Sequence, residues 1–177
     1  MGKHVFQPFD HNVLAIDPFT VGVTRPALLV TGHEGEKCNA MTIGWGTAGR
    51  IWNTDAGVIF VRGSRYSKEL LDKYDSFSVT FFRKTKTNDL MLKYFGTASG
   101  RDEDKLKTSH MEVDYFKGTP YIDEGELVAI LKKISVTEMK AEDFADKEIL
   151  EKFYTNGHDK DDFHYIVCGS ILQLMAR

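Results

Sequence analysis

The chain has 177 residues, enough to bury one core without disulfide staples, and its 42% hydrophobic and 28% charged residues suit a globular protein. A net charge of -3 gives no electrostatic case for a nucleic-acid or anionic-membrane partner, and no apolar run reaches the length of a membrane span. Cys38 and Cys168 form no Cys-x-x-Cys pair and lie in apolar, strand-like runs, and "MGKHVFQPFDHN" at the start has no apolar leader. The expectation is a cytoplasmic protein with buried, reduced thiols.

In chain order, "PALLVTG" (26–32) predicts a short buried strand and "KCNAMTIGW" (37–45) a second. In "RIWNTDAGVIFVR" (50–62) a turn cluster of Asn53, Thr54, Asp55 and Gly57 precedes a β-branched strand. "SRYSKELLDKYD" (64–75) places Tyr66, Leu70 and Tyr74 one helical turn apart, with Ser64 or Ser67 as N-cap. "DSFSVTFF" (75–82) alternates: Phe77, Val79 and Phe81 face one way, Ser76, Ser78 and Thr80 the other. "NDLMLKYFG" predicts a helix from Asn88 to Gly96. "ELVAILKKISVTEM" (126–139) reads as a long bent strand. "DKEILEKFYTNG" (146–157) pairs Ile149 with Phe153 and Leu150 with Tyr154 in a helix. "FHYIVCGSILQLM" (163–175) is a last long strand with a bulge or kink at Gly169. Many strands and few short helices give a mainly β single domain over residues 1–177, a barrel with helical insertions.

Four stretches carry chemistry. Gly44-x-Gly46-x-x-Gly49 has the spacing of a dinucleotide-binding fingerprint. That fingerprint needs a helix opening at the glycines and an acid at the next strand's end. Here a turn follows, and the nearest acid, Glu69, falls in a helical pattern. The glycines and Trp45 suit the approach of another flat group, or a plain strand end with Trp45 and Trp52 as core. In "VRGSRYSKELL" (61–71), Arg62 and Arg65 stand at a helix start, against the macrodipole; the alternatives are a solvated basic face with an ordinary cap or, as the favoured reading, a bound phosphate that resolves that conflict. "GTASGRDEDK" (96–105) is a small-residue turn with Arg101 and Lys105, which alone reads as a surface loop. "NGHDKDDFHYIVCG" (156–169) gathers His158, Asp159, Asp161, Asp162 and His164 without metal-ligand spacing, so no metal is expected, though His164 could face a ligand. No nucleophile motif is present.

Taken in order, "NAMTIGWGTAGRIWN", "VRGSRYSKELL", "FSVTFF", "FGTASGRDEDK" and "YTNGHDKDDFHYIVCGSI" resemble the flavin reductase-like family of FMN-binding split barrels, most closely its flavoredoxin-like branch. The resemblance implies a six-stranded split β-barrel with short helical insertions, as a homodimer with flavin sites near the subunit interface. It implies that Asn39, Ala40, Met41, Thr42 and Trp45 line the isoalloxazine and ribityl chain of FMN. It places Arg62, Ser64, Arg65, Tyr66 and Ser67 around the phosphate, Ser67 standing where the family often has Thr. Ser99, Arg101 and Lys105 close the site from their loop, and His164 lies near the ring. The implied activity is hydride transfer from NAD(P)H to N5 of FMN, with FAD or riboflavin as alternative flavin substrates and no side chain identified as catalytic. The alternatives are a flavoredoxin-type electron carrier with a redox protein partner, a flavin- or haem-binding module without turnover, and a purely structural barrel.

Overall fold

The computed structural model describes residues 7–8, 27–156 and 159–177; Pro26, Gly157 and His158 lie outside the described residues. The strands are β1 (Gln7–Pro8), β2 (Ala27–Thr31), β3 (Asn39–Ile43), β4 (Gly46–Ile51), β5 (Thr54–Arg62), β6 (Ser76–Phe81), β7 (Val113–Phe116), β8 (Thr119–Ile122), β9 (Leu127–Glu138) and β10 (His164–Ala176). The main sheet runs β3-β2-β6-β9-β10-β5-β4 with every neighbour antiparallel, β1 adds to β10, and β7 and β8 form a separate hairpin.

One apolar cluster draws on six strands: Leu29 (β2), Ile43 (β3), Val61 (β5), Phe77 (β6), Leu131 (β9) and Val167 (β10) among others. A flat sheet would hold β3 and β5 far apart. Burying both on one core requires the sheet to curl. β3 approaches β5 without a ladder between them, and there the barrel is open. This is the expected six-stranded split barrel, with β4 as an edge addition.

The alternation in β6 explains its two faces. Phe77, Val79 and Phe81 enter the core, whereas Ser78 and Thr80 lie under β8 and are fully buried. Ser78 Oγ donates to the Pro120 carbonyl at 2.7 Å, and Thr80 Oγ1 accepts from Ile122 N at 3.2 Å. The expected irregularity at Gly169 is a register shift between Cys168 and Gly169, and a second, unanticipated one lies between Ile171 and Gln173. A Cβ on Gly169 would fall 3.0 Å from Leu131 Cβ. At the fingerprint, β3 ends at Ile43, Gly44 and Trp45 break the strand, and β4 and β5 form a hairpin rather than opening a helix. Its turn is narrower than expected: Trp52 and Asn53 take left-handed φ values of 50° and 56°, and Thr54, Asp55 and Gly57 already belong to β5.

The helices are α1 (Tyr66–Lys73), α2 (Lys86–Thr97), α3 (Lys105–Thr108) and α4 (Lys147–Leu150), the last continuing as a π-helical turn over Glu151–Thr155. Two boundaries correct the sequence reading. The N-cap of α1 is Arg65, with no side-chain cap, because Ser64 is engaged by Asp162 and Ser67 sits inside the first turn bonded to Asn39. α2 starts at Lys86, capped by Thr85 Oγ1 accepting from Asn88 N at 3.1 Å, and runs through Gly96. α2 and α3 cover the outer face of β2 and β3 through Leu92, Phe95 and Leu106. Both cysteines are free thiols, but Cys38 is only half-buried and precedes β3, unlike the buried Cys168. Among the described residues no helix is long and apolar enough to cross a membrane.

Phe77, with no exposed surface at the centre of the core, sets the first prediction. Phe77→Ala lowers unfolding stability by about 3–5 kcal/mol in urea denaturation, and an unchanged midpoint would contradict this packing.

Candidate functional site

Two adjoining cavities open where β3, the start of α1 and the end of α2 meet. The first, ≈ 230 Å³, has Asn39 and Met41 as floor, Arg65 to Ser67 as one wall, and the 96–101 segment with Lys105 as the other. Asn39 Nδ2 donates to Ser67 Oγ at 2.9 Å, both residues buried. Gly100 lies so close that a Cβ there would fall 2.2 Å from Asn39 Oδ1, so the loop can close here only with glycine. Lys37 Nζ donates to the Gly100 carbonyl at 3.1 Å and stands 4.7 Å from the centre of the Tyr66 ring, fixing ring and loop together. Ser99 Oγ accepts from Arg101 N at 3.2 Å. Arg101 pairs with Glu69 and donates to the Ser64 carbonyl at 2.8 Å, so it latches the loop to α1.

Two cations carry the electrostatics of this cavity. The Arg65 guanidinium has no side-chain hydrogen bond or ion pair among the described residues. Lys105 is only 3% exposed, and its ammonium donates to the Phe95 carbonyl at 3.0 Å. Burial first, and the Arg65 charge second, pull the Lys105 pKa down to about 8, against a smaller upward pull from Glu103. Two under-compensated cations beside an uncapped helix start suit an anion.

The second cavity, ≈ 200 Å³, shares Met41 and Arg65 with the first and continues past Thr42, Gly44 and Trp45 to Phe60, Phe153 and His164. Four of its lining residues, Trp45, Phe60, Phe153 and His164, are aromatic, and Arg62 and Arg65 also border it. Trp45 meets Phe153 edge-on at 5.2 Å between ring centres and lies 4.8 Å from His164. His164 is buried, and its Nδ1 is 2.7 Å from the Tyr154 hydroxyl. Burial, then the Arg62 charge, lower its pKa to about 4, so the imidazole is neutral at pH 7. Beyond Trp45 and Phe153 a third, apolar cavity of ≈ 310 Å³ is walled by Phe144, Ile149 and Tyr154.

Not every residue singled out from the sequence faces these cavities. Ala40 is buried on the opposite face of β3, packed with Leu28 and Val30. Thr42 borders the second cavity while its Oγ1 donates to the Leu92 carbonyl at 2.5 Å. Arg62 borders the second cavity, not the first. Its guanidinium donates to the carbonyls of Asp162 (2.6 Å), Phe153 (3.2 Å) and Asp159 (3.4 Å), binding the 153–162 segment to β5. Ser64 rims the first cavity, but its N–H and hydroxyl both donate to the Asp162 carboxylate, at 3.0 and 2.5 Å. Among the described residues no group of His, Cys, Asp and Glu could hold a metal ion.

Sequence reasoning missed Lys37, Phe60, Phe153 and Tyr154 as site residues. Phe153 and Tyr154 registered only as apolar helix positions, and Lys37 only as the first residue of the strand-like run 37–45. An anionic group with a flat aromatic body fits this arrangement: Arg65, Lys105 and the start of α1 at one end, aromatic side chains at the other, with Met41 and Arg65 at the junction.

No protein-family model and no curated protein matches the sequence. Solved structures do match in fold. A flavoredoxin from Methanosarcina acetivorans gives a TM-score of 0.63 at 22% identity, over 97% of this chain and 75% of that one. An FMN-binding domain of a flavin reductases-like enzyme from Shewanella baltica gives 0.66 at 13% identity, over 99% and 79%. The styrene monooxygenase flavin reductase of Pseudomonas putida gives 0.58 at 14% identity, over 87% and 79%. At these identities the likeness is one of fold, and the chain has the fold of the FMN-binding split barrels, shared by flavoredoxins and flavin reductases.

Proposed function

We propose that this chain binds FMN and acts as an NAD(P)H-dependent flavin reductase, as a homodimer in a reducing, cytoplasmic setting. The observation that carries the reading is the polarity of the joined cavities, with Arg65 and Lys105 at one end and Trp45, Phe60 and His164 at the other. Arg65, Ser67 and Lys105 hold the phosphate, Asn39 and Met41 line the ribityl chain, and Trp45 with His164 borders the isoalloxazine. Tyr66, Ser99 and Arg101 shape the loop that closes over the phosphate, Ser64 ties the helix start to Asp162, and Arg62 holds the ring-side wall. FMN, when bound, supplies the redox chemistry by accepting hydride at N5 from the nicotinamide. The protein's contribution is position, exclusion of water and charge. No general base is needed for hydride transfer, which agrees with a neutral His164. The apolar cavity beyond Trp45 leaves room for a second flat group beside the ring.

The electron-carrier reading uses the same flavin pocket, and an anaerobic titration separates the two. NADH or NADPH is expected to bleach the flavin band of the FMN-loaded protein. Bound flavin that dithionite reduces but neither nucleotide does would replace the reductase with a carrier. Arg65→Ala is expected to weaken FMN binding by about 1.5–3 kcal/mol, roughly 10–150-fold, in a fluorescence-quenching titration; retained affinity would move the phosphate elsewhere.

The pH dependence follows from Lys105, whose pKa is about 8 without an anion. A bound phosphate favours the ammonium form, so from about pH 7, where the phosphate is already a dianion, to about pH 8 FMN affinity is full, and it falls as pH rises further. In the flavin-free chain the sign reverses. A folded pKa of about 8, below the model-compound 10.5, means that the unfolded chain binds more protons between those values, and stability rises with pH across that window. Lys105→Met removes the Lys105 contribution to both slopes, read as the difference from wild type in binding and in denaturation at pH 7 to 10.

A further inference from the structure

Tyr154 has no place in the phosphate-side machinery, yet it is among the most constrained side chains in the structure. It is 2% exposed and sits in the π-helical turn after α4, a distortion that recurs at functional positions. Its ring stacks on Phe163 with centres 4.8 Å apart and planes within 9° of parallel. It meets His164 edge-on and carries the Arg62 guanidinium 5.2 Å from its centre. Its hydroxyl has one hydrogen-bond partner among the described residues, His164 Nδ1 at 2.7 Å.

We propose that Tyr154 is a positioning residue whose phenol donates to His164 Nδ1, fixes the imidazole as the neutral Nε2–H tautomer, and so presents one uncharged N–H donor to a ring acceptor in the cavity beside Trp45. The assignment follows from donor and acceptor accounting. A neutral imidazole carries one hydrogen and one free lone pair. If the hydrogen sat on Nδ1, it would be donated to the Tyr154 oxygen, and the buried phenol hydrogen would have no acceptor among the described residues. With the hydrogen on Nε2, the phenol donates to Nδ1, the buried pair is satisfied, and the remaining N–H is the one that borders the cavity. Burial raises the Tyr154 pKa, chiefly by desolvation, so the phenol keeps its proton. Nε2 has no partner among the described residues, and His164 borders the ring-side cavity. The charges that face the imidazole are Arg62 and Arg65, which oppose its protonation, and Asp159 and Asp162, which favour it.

That the acceptor belongs to a flavin ring or its redox partner rests on the proposed function; the tautomer does not. The test is therefore made on the flavin-free full chain by ¹⁵N NMR of its six labelled histidines, with His164 assigned by its loss in His164→Gln. The wild type is expected to show Nε2 protonated and Nδ1 unprotonated, without change from pH 8 to pH 6, since the midpoint of its titration lies near 4. Tyr154→Phe, which keeps the stack on Phe163, is expected to show averaged tautomers and an upward-shifted His164 titration. An Nδ1–H imidazole in the wild type would overturn the proposal even if the variant did not fold, as would a variant with unchanged tautomer. Failure of the wild type to retain FMN would sink the flavin reading and leave the tautomer result standing, so the two failures are separable.

Discussion

The Arg62 guanidinium, 12% exposed at the end of β5, is held by three carbonyls of the 153–162 segment. A nearly buried cation is tolerable only when its donors are met, and here backbone oxygens meet them. That constraint places Phe153, Asp159 and Asp162, which the sheet alone would leave unplaced. Phe153 becomes a wall of the ring-side cavity, Tyr154 reaches His164, and the Asp162 carboxylate is delivered to Ser64 at the start of α1. Arg62 belongs to the motif read as phosphate-binding, yet it acts on the other side of the site by fixing the wall against which a ring would lie.

Charge is distributed unevenly over the two ends. Arg101 is matched by Glu69 and Arg62 by carbonyls, whereas Arg65 and Lys105 face each other across the first cavity. Their repulsion, with the desolvation of Lys105, is a local cost that an anion offsets. The ring-side end differs: His164 is kept neutral, Trp45, Phe60 and Phe153 line the cavity with it, and the Arg62 there has its donors met by carbonyls. A low-dielectric wall beside a concentrated positive field is how a protein separates binding of a charged handle from tuning of a neutral ring.

Sequence periodicity identified elements better than boundaries. The alternation of Phe77, Val79 and Phe81 specified which face of β6 is core, and Gly169 marked the bulge, because both are local consequences of side-chain size on a pleated strand. The N-cap of α1 was misread because Ser64 and Ser67 have the chemistry of caps, but Asp162 and Asn39 compete for their hydroxyls. Ala40 fell inside a recognisable motif and still faces away, since period-two alternation turns every second residue of β3 outward.

The sequence alone determined the long strands, the core face of β6, the helices at 66–73 and 86–97 and the clustering of Arg65, Ser67, Arg101 and Lys105 into a few short stretches, since these depend on residue periodicity and local motifs. It carried no sign of β4 or the β7–β8 hairpin, whose short runs have no clear period. It could not decide which cation stays uncompensated. Arg62 and Arg65 are three positions apart with identical chemistry, and only the arrival of the 153–162 segment separates a structural arginine from a ligand-facing one. Nor could it place Tyr154 against His164 or Gly100 against Asn39, contacts set by how the segments after α2 and α4 lie against β3 and β10. Hydrogen-bond pairing and burial are properties of neighbours distant in the chain, and only the tertiary structure supplies those neighbours.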